Sequence, residues 1–165
     1  MKILFLGDVV GLSGCSKITK DLSGQIQKNN IDFVIVNAEN ADDTGVGLTK
    51  EICRNFFKNG VDVITTGNHV WDQKDIMNFI DKEKRLLRPK NLFEPAPGRG
   101  FEIYKTKKNQ RVGVLNLMGN VFMKKCDDVF KVSKEFLEKY DLKKDYDFLV
   151  VDFHGEITSE KNAIG

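Results

Sequence analysis

Val61-Asp62-Val63-Ile64-Thr65-Thr66-Gly67-Asn68-His69-Val70 is the stretch on which the fold turns. A β-branched apolar run ends on glycine, and an amide and an imidazole follow at once. Two earlier runs end in the same way. Lys2 to Leu6 leads into Gly7-Asp8-Val9-Val10, and Phe33 to Val36 leads into Asn37-Ala38-Glu39-Asn40. Asp8 to Glu39, and Glu39 to Asn68, are each about thirty residues apart, the length of one βαβ unit. The pattern predicts an α/β fold with parallel strands joined by right-handed crossovers. Polar side chains that follow such strands collect at the C-terminal edge of the sheet, where α/β proteins hold their sites.

Between the runs, Ile18, Leu22 and Ile26 give a helical face over Cys15 to Lys28, closed by Asn29-Asn30. Thr49 is the expected N-cap of a second helix, with Ile52, Phe56 and Phe57 inward and Asn59-Gly60 as its stop. A third helix is expected from Asp72 to Ile80. Beyond an irregular Pro-containing connection, Phe101 to Thr106 and Arg111 to Leu117 read as a hairpin that continues the parallel sheet as a mixed one. A helix from Asp128 to Tyr140 then leads to the strand Phe148 to Phe153, which ends on His154.

The 165 residues, 41% hydrophobic and 30% charged, are those of a globular domain. A net charge of +2, from 26 basic and 24 acidic residues, gives no electrostatic footprint for nucleic acid. The basic stretches Lys82 to Arg88 and Lys105 to Arg111 read as solvated surface. No apolar stretch approaches the roughly 20 residues that span a bilayer, and Asp8 interrupts the first run before it reaches signal-peptide length. Cys15, Cys53 and Cys126 contain no C-x-x-C pair and read as reduced thiols of a cytoplasmic protein.

Each candidate residue has an ordinary reading. Asp8 suits a helix cap, Asn40 and Asn68 suit turns, and His69 and His154 suit hydrogen-bonded structural histidines, His154 beside Asp152 or Glu156. Glu39 is harder to place that way, because a carboxylate after Phe33-Val34-Ile35-Val36 is desolvated and needs a cation or donors. Both histidines of the chain fall at strand ends on the same edge. A dinuclear centre needs a carboxylate bridging two cations, further O and N ligands on each, and a separate proton donor. Glu39 suits the bridge, Asp8 and Asn40 one metal, Asn68 and His154 the other, and His69 the acid.

Gly7-Asp-Val-Val-Gly11, Asn37-Ala-Glu-Asn40, Gly67-Asn-His-Val-Trp-Asp72, Leu87-Arg-Pro89, Pro97-Gly-Arg-Gly100, Asn116-Leu-Met-Gly119 and the segment Asp152 to Lys161 together resemble the bacterial metallophosphoesterases of the YmdB-like group. The resemblance implies a calcineurin-like sandwich of mixed sheets flanked by helices. It also implies a hydrolase acting on phosphodiesters such as 2′,3′-cyclic nucleotides. Two divalent metal ions are implied, Fe or Mn foremost, with Zn or Co admitted by the same ligands. By the same resemblance Asp8, Glu39 and Asn40 hold one metal, Glu39, Asn68 and His154 the other, and His69 is the general acid. The family pattern continues past Gly165 through a Gly-Thr-His-Thr-His segment that gives each metal one further histidine. Residues 1–165 are therefore expected to be a single domain incomplete at its C-terminus, weakly active or inactive, with an uncovered flank that favours a homo-oligomer. The alternative is a non-catalytic remnant that binds metal or nucleotide weakly. A dinucleotide-binding module fits less well, since Gly11-Leu12-Ser13-Gly14 lacks the G-x-G-x-x-G spacing.

Overall fold

The structure is a computed structural model and describes residues 1–93 and 95–165. β1 (Ile3–Leu6), α1 (Gly11–Asn29), β2 (Phe33–Asn37), α2 (Lys50–Lys58) and β3 (Val63–Thr65) form the expected repeat. Their strands pair in parallel in the order β1-β2-β3, with Ile3 opposite Phe33 and Ile35 opposite Val63. The Thr49 side chain accepts from Ile52 N at the start of α2, as its position predicts. α1 begins at Gly11, four residues earlier than its apolar face suggests, and Val10 caps it without a side-chain bond. Asp8 is therefore not a helix cap.

Two expectations fail. The third helix is only a 3₁₀ turn, Lys74–Asn78. Asp72 directs its carboxylate to His69 and Lys124 instead of capping, and only Ile76 and Ile80 of this stretch are buried. That is too little apolar surface to hold a regular helix. The hairpin, β4 (Phe101–Lys105) and β5 (Arg111–Met118), does not extend the first sheet. It joins β6 (Phe148–His154) in a second sheet of order β4-β5-β6, antiparallel at β4/β5 and parallel at β5/β6. Single bridges, Ile64 to Leu86 and Leu87 to Arg99, carry the chain across.

Strand alternation explains the stacking. Phe33, Ile35 and Val63 of the first sheet meet Val112 and Val114 of the second in one buried cluster. The opposite faces bury Val34, Val36 and Ile64 against α1 and α2, and Leu115 and Leu117 against Phe136 of α3 (Val129–Lys139). α4 (Thr158–Ile164) follows β6. The result is an α/β fold of two small sheets flanked by helices. No described helix is long and apolar enough to cross a membrane.

Asn116 rivets the two sheets. Its fully buried Nδ2 donates to Thr66 O at 2.8 Å and to Leu87 O at 3.3 Å. Asn116→Ala is expected to lower unfolding free energy by about 1–2 kcal/mol, since it leaves a cavity and strips the Thr66 carbonyl of its donor, offset in part by loss of an Asn116 Oδ1 that is itself unpartnered. Urea unfolding measures this; a loss under about 0.5 kcal/mol would show that the rivet is dispensable.

Candidate functional site

The C-terminal ends of β1, β2, β3 and β6 meet at one edge. Asp8 leaves β1 with φ +48°, a left-handed conformation that aspartate tolerates better than most residues. Two backbone bonds, Val9 N to Asn37 O and Gly11 N to Asn40 O, both 2.9 Å, tie the turn after β1 to the turn after β2. Asn40 Nδ2 thereby donates to Asp8 Oδ1 at 2.8 Å. Glu39 is buried, 2% exposed. Its Oε2 accepts from His69 N at 3.2 Å, and its Oε1 lies 2.9 Å from His154 Nε2. The missing side chain of Gly67 permits this, since a Cβ there would overlap both the Glu39 carboxylate and the His154 ring.

His154 Nε2 also lies 2.9 Å from Asn68 Oδ1. One ring nitrogen carries at most one proton, yet it faces two acceptors. Burial disfavours the charged ring, but hydrogen bonding and charge from Glu39 hold His154 above its ordinary pKa. With Nε2 deprotonated, the ring nitrogen and the two oxygens beside it all present lone pairs, an arrangement that a shared cation would relieve. Beside them Asn40 Oδ1 is buried with no hydrogen-bond partner. Mixed carboxylate, amide and imidazole donors with an orphaned carbonyl oxygen fit a divalent transition-metal ion. Among the described residues, no three His, Cys, Asp or Glu side chains could hold a metal by themselves. The amides of Asn40 and Asn68 are needed to complete the set.

His69 stands apart from this cluster and touches Glu39 only through its backbone. Its Nδ1 lies 2.5 Å from Asp72 Oδ2, and Lys124 Nζ donates to the other Asp72 oxygen at 3.2 Å. Although burial works against it, His69 and Lys124 hold the Asp72 carboxyl below its ordinary pKa.

The family described as YmdB-like protein matches residues 4–165. The chain belongs to it. Among its relatives, the 2′,3′-cyclic-nucleotide 2′-phosphodiesterase of Bacillus subtilis (strain 168) is 40% identical over 165 residues, all of this chain and 61% of that protein. Two solved structures share the fold seen here. A hypothetical protein from Thermus thermophilus superposes with a TM-score of 0.89 at 34% identity, covering 99% of this chain and 62% of that one. A novel phosphatase from Mycoplasma pneumoniae gives 0.88 at 38% identity, covering 99% and 58%. The chain spans about three-fifths of the length of the curated relatives it matches.

The YmdB-like chain thus brings Asp8, Glu39, Asn40, Asn68 and His154 into one connected cluster, with His69 beside it. His154 pairs with neither Asp152 nor Glu156. Asp152 shares the inner face of β6 but sits one pleat back, where its Oδ2 accepts from Asn37 Nδ2 at 3.0 Å. Burial holds this carboxyl above its ordinary pKa. Sequence reasoning missed Asp72 as the partner of His69, although the i, i+3 spacing in His69-Val70-Trp71-Asp72 was a signal. Lys124, 52 residues from Asp72, left none. A cleft of about 340 Å³ opens beside the cluster, bounded by Asp8, Asp152, His154, Glu156 and Lys161. A larger apolar groove, about 560 Å³, runs between β1 and α1 on the flank and contains none of the cluster's residues.

Proposed function

We propose that this edge is the metal centre of a phosphodiesterase on a calcineurin-like sandwich, acting on small phosphodiesters such as 2′,3′-cyclic nucleotides. The observation that carries the reading is the convergence of Glu39 Oε1, Asn68 Oδ1 and His154 Nε2 beside a glycine, with Asn40 reaching the same carboxylate and linking it to Asp8. The name of the Bacillus relative supports the substrate class. Asp8, Glu39 and Asn40 would hold one divalent ion and Glu39, Asn68 and His154 a second. Fe or Mn is foremost, and Zn or Co is compatible with the same donors. When bound, such ions polarise phosphoryl oxygens and lower the pKa of a coordinated water.

The chain's own residues do the rest. Glu39 supplies buried negative charge between the two ligand groups. Asp72 fixes the His69 ring by accepting from Nδ1, which leaves Nε2 to hand a proton to the departing oxygen. Together with His69 itself, Lys124 holds the Asp72 carboxyl below its ordinary pKa in that task. The free thiols Cys15, Cys53 and Cys126 support a reducing, cytoplasmic setting.

The test is the purified chain, stripped of metal, assayed on bis-p-nitrophenyl phosphate and 2′,3′-cyclic AMP with and without Mn²⁺ or Fe²⁺. Metal-dependent hydrolysis, weak at most, is expected; bound metal with no turnover of either compound would refute the hydrolase and favour the non-catalytic remnant instead. His69→Ala is expected to keep its metal content and lower turnover by roughly 10²–10⁴-fold, the scale of one general acid. Loss of metal in that variant would make His69 a ligand instead.

A further inference from the structure

The loop between β5 and α3 bridges the two halves of the site. At its start Gly119 N donates to His154 O at 2.9 Å. Farther along, Lys124 reaches Asp72, the carboxylate that holds His69. Between these anchors the loop is fixed to the body of the protein. Glu160 of α4 accepts from Asn120 N at 2.9 Å and from Val121 N at 3.3 Å, and Met123 packs against the helical core.

Of the loop's apolar side chains, Phe122 is the one these anchors leave farthest outside. Its ring is 85% exposed, and its backbone is left-handed, with φ +61°. Exposure forgoes the hydrophobic gain of a large aromatic ring, and a positive φ is unfavourable for a bulky side chain. Two unfavourable choices at one residue, on a loop pinned at both ends to the site, mark a surface kept for binding rather than packing.

We propose that Phe122 is the base-recognition residue of this site, its ring the platform on which the nucleobase of the substrate stacks. The proposal rests on the reading of the site as a nucleotide phosphodiesterase centre. Lys124 commits its ammonium to Asp72, so within the span between the two anchors the most exposed side chain of large area is the flat apolar face of Phe122. One ring is far smaller than a protein–protein interface requires, and it matches one base. Every base has a π-face, so stacking of this kind discriminates little among the four.

The test compares the parent chain, Phe122→Ala and Phe122→Trp with excess Mn²⁺ on two cyclic diesters. One is 2′,3′-cyclic AMP. The other is glycerol 1,2-cyclic phosphate, which keeps the five-membered ring and lacks a base. Calorimetry on the same proteins reads binding of adenosine 2′-monophosphate and of glycerol 2-phosphate. Phe122→Ala is expected to raise KM and Kd for the adenine compounds by about 5- to 100-fold, the scale of one base–aromatic stack. The glycerol compounds are unaffected, and Phe122→Trp restores adenine binding. Equal losses on both classes, or none on the adenine compounds, would overturn the stacking role, as would a parent chain with no preference for adenine. A parent chain that binds adenine selectively through Phe122 but turns over neither diester upholds the stacking role and overturns the hydrolase reading.

Discussion

Glu39→Ala is expected to lower hydrolysis of 2′,3′-cyclic AMP by roughly 10³-fold or more, the upper scale for losing one electrostatic contact at a reacting centre. It is also expected to lose more bound metal than any other single change at the site. Among the described residues, Glu39 is the one carboxylate in contact with both halves of the cluster, through Asn40 at 3.5 Å and His154 at 2.9 Å. In the proposed centre its removal would take charge from two cations at once, whereas Asn40→Ala or Asn68→Ala would take a neutral donor from one. Stability should move the other way. A carboxylate 2% exposed carries a desolvation cost that its few hydrogen bonds offset only in part. Without metal, Glu39→Ala is therefore expected to unfold at no lower urea concentration than the parent chain. Metal analysis with urea titrations in Mn²⁺ and in chelator checks both halves, and two equivalents of metal retained in the variant would end the bridging role.

Gly67→Ala is expected to behave as a ligand variant although it removes no ligand. The added methyl would collide with Glu39 Oε2 and with the His154 ring, and both must shift. Displacement of reacting groups by about 1 Å can cost 10²-fold in turnover, and that loss is expected here. The cost to folding should be about 1–3 kcal/mol, that of overpacking one site. Because the methyl acts through Glu39 and His154, it should add little once Glu39 is gone. The double variant Gly67→Ala/Glu39→Ala is expected to match Glu39→Ala in activity. Parent-like turnover in Gly67→Ala would show that the Glu39–His154 approach is not needed.

Much of the site was legible because it obeys a local rule. Asp8, Glu39, Asn40, Asn68, His69 and His154 each follow an apolar run, and a parallel sheet aligns the ends of such runs. The fold was legible to the same depth. The Thr49 cap, the helix expected from Asp128 to Tyr140 and the three parallel strands lie close to where their residues predict. Apolar spacing misled between Asp72 and Ile80, since Asp72 serves His69 and the stretch buries only two of its apolar side chains. It was silent about the hairpin's partner. Val112 and Val114 alternate as strand residues do in a continued sheet or a second one, and only the apolar face of Phe33, Ile35 and Val63 selects stacking.

By itself the sequence determined the strands, the parallel direction of the first three and the identity of the side chains at the strand ends. Those depend on residues within one βαβ unit of each other, where periodicity and capping act. The tertiary structure alone decided that His154 meets Asn68 across 86 residues, that Asp152 turns to Asn37 across 115, and that Lys124 closes on Asp72. It alone also left Phe122 outside the packed body. These pairings follow from how two sheets stack and where a loop is pinned, which no local pattern encodes, because each contact forms only after distant apolar faces have been buried together.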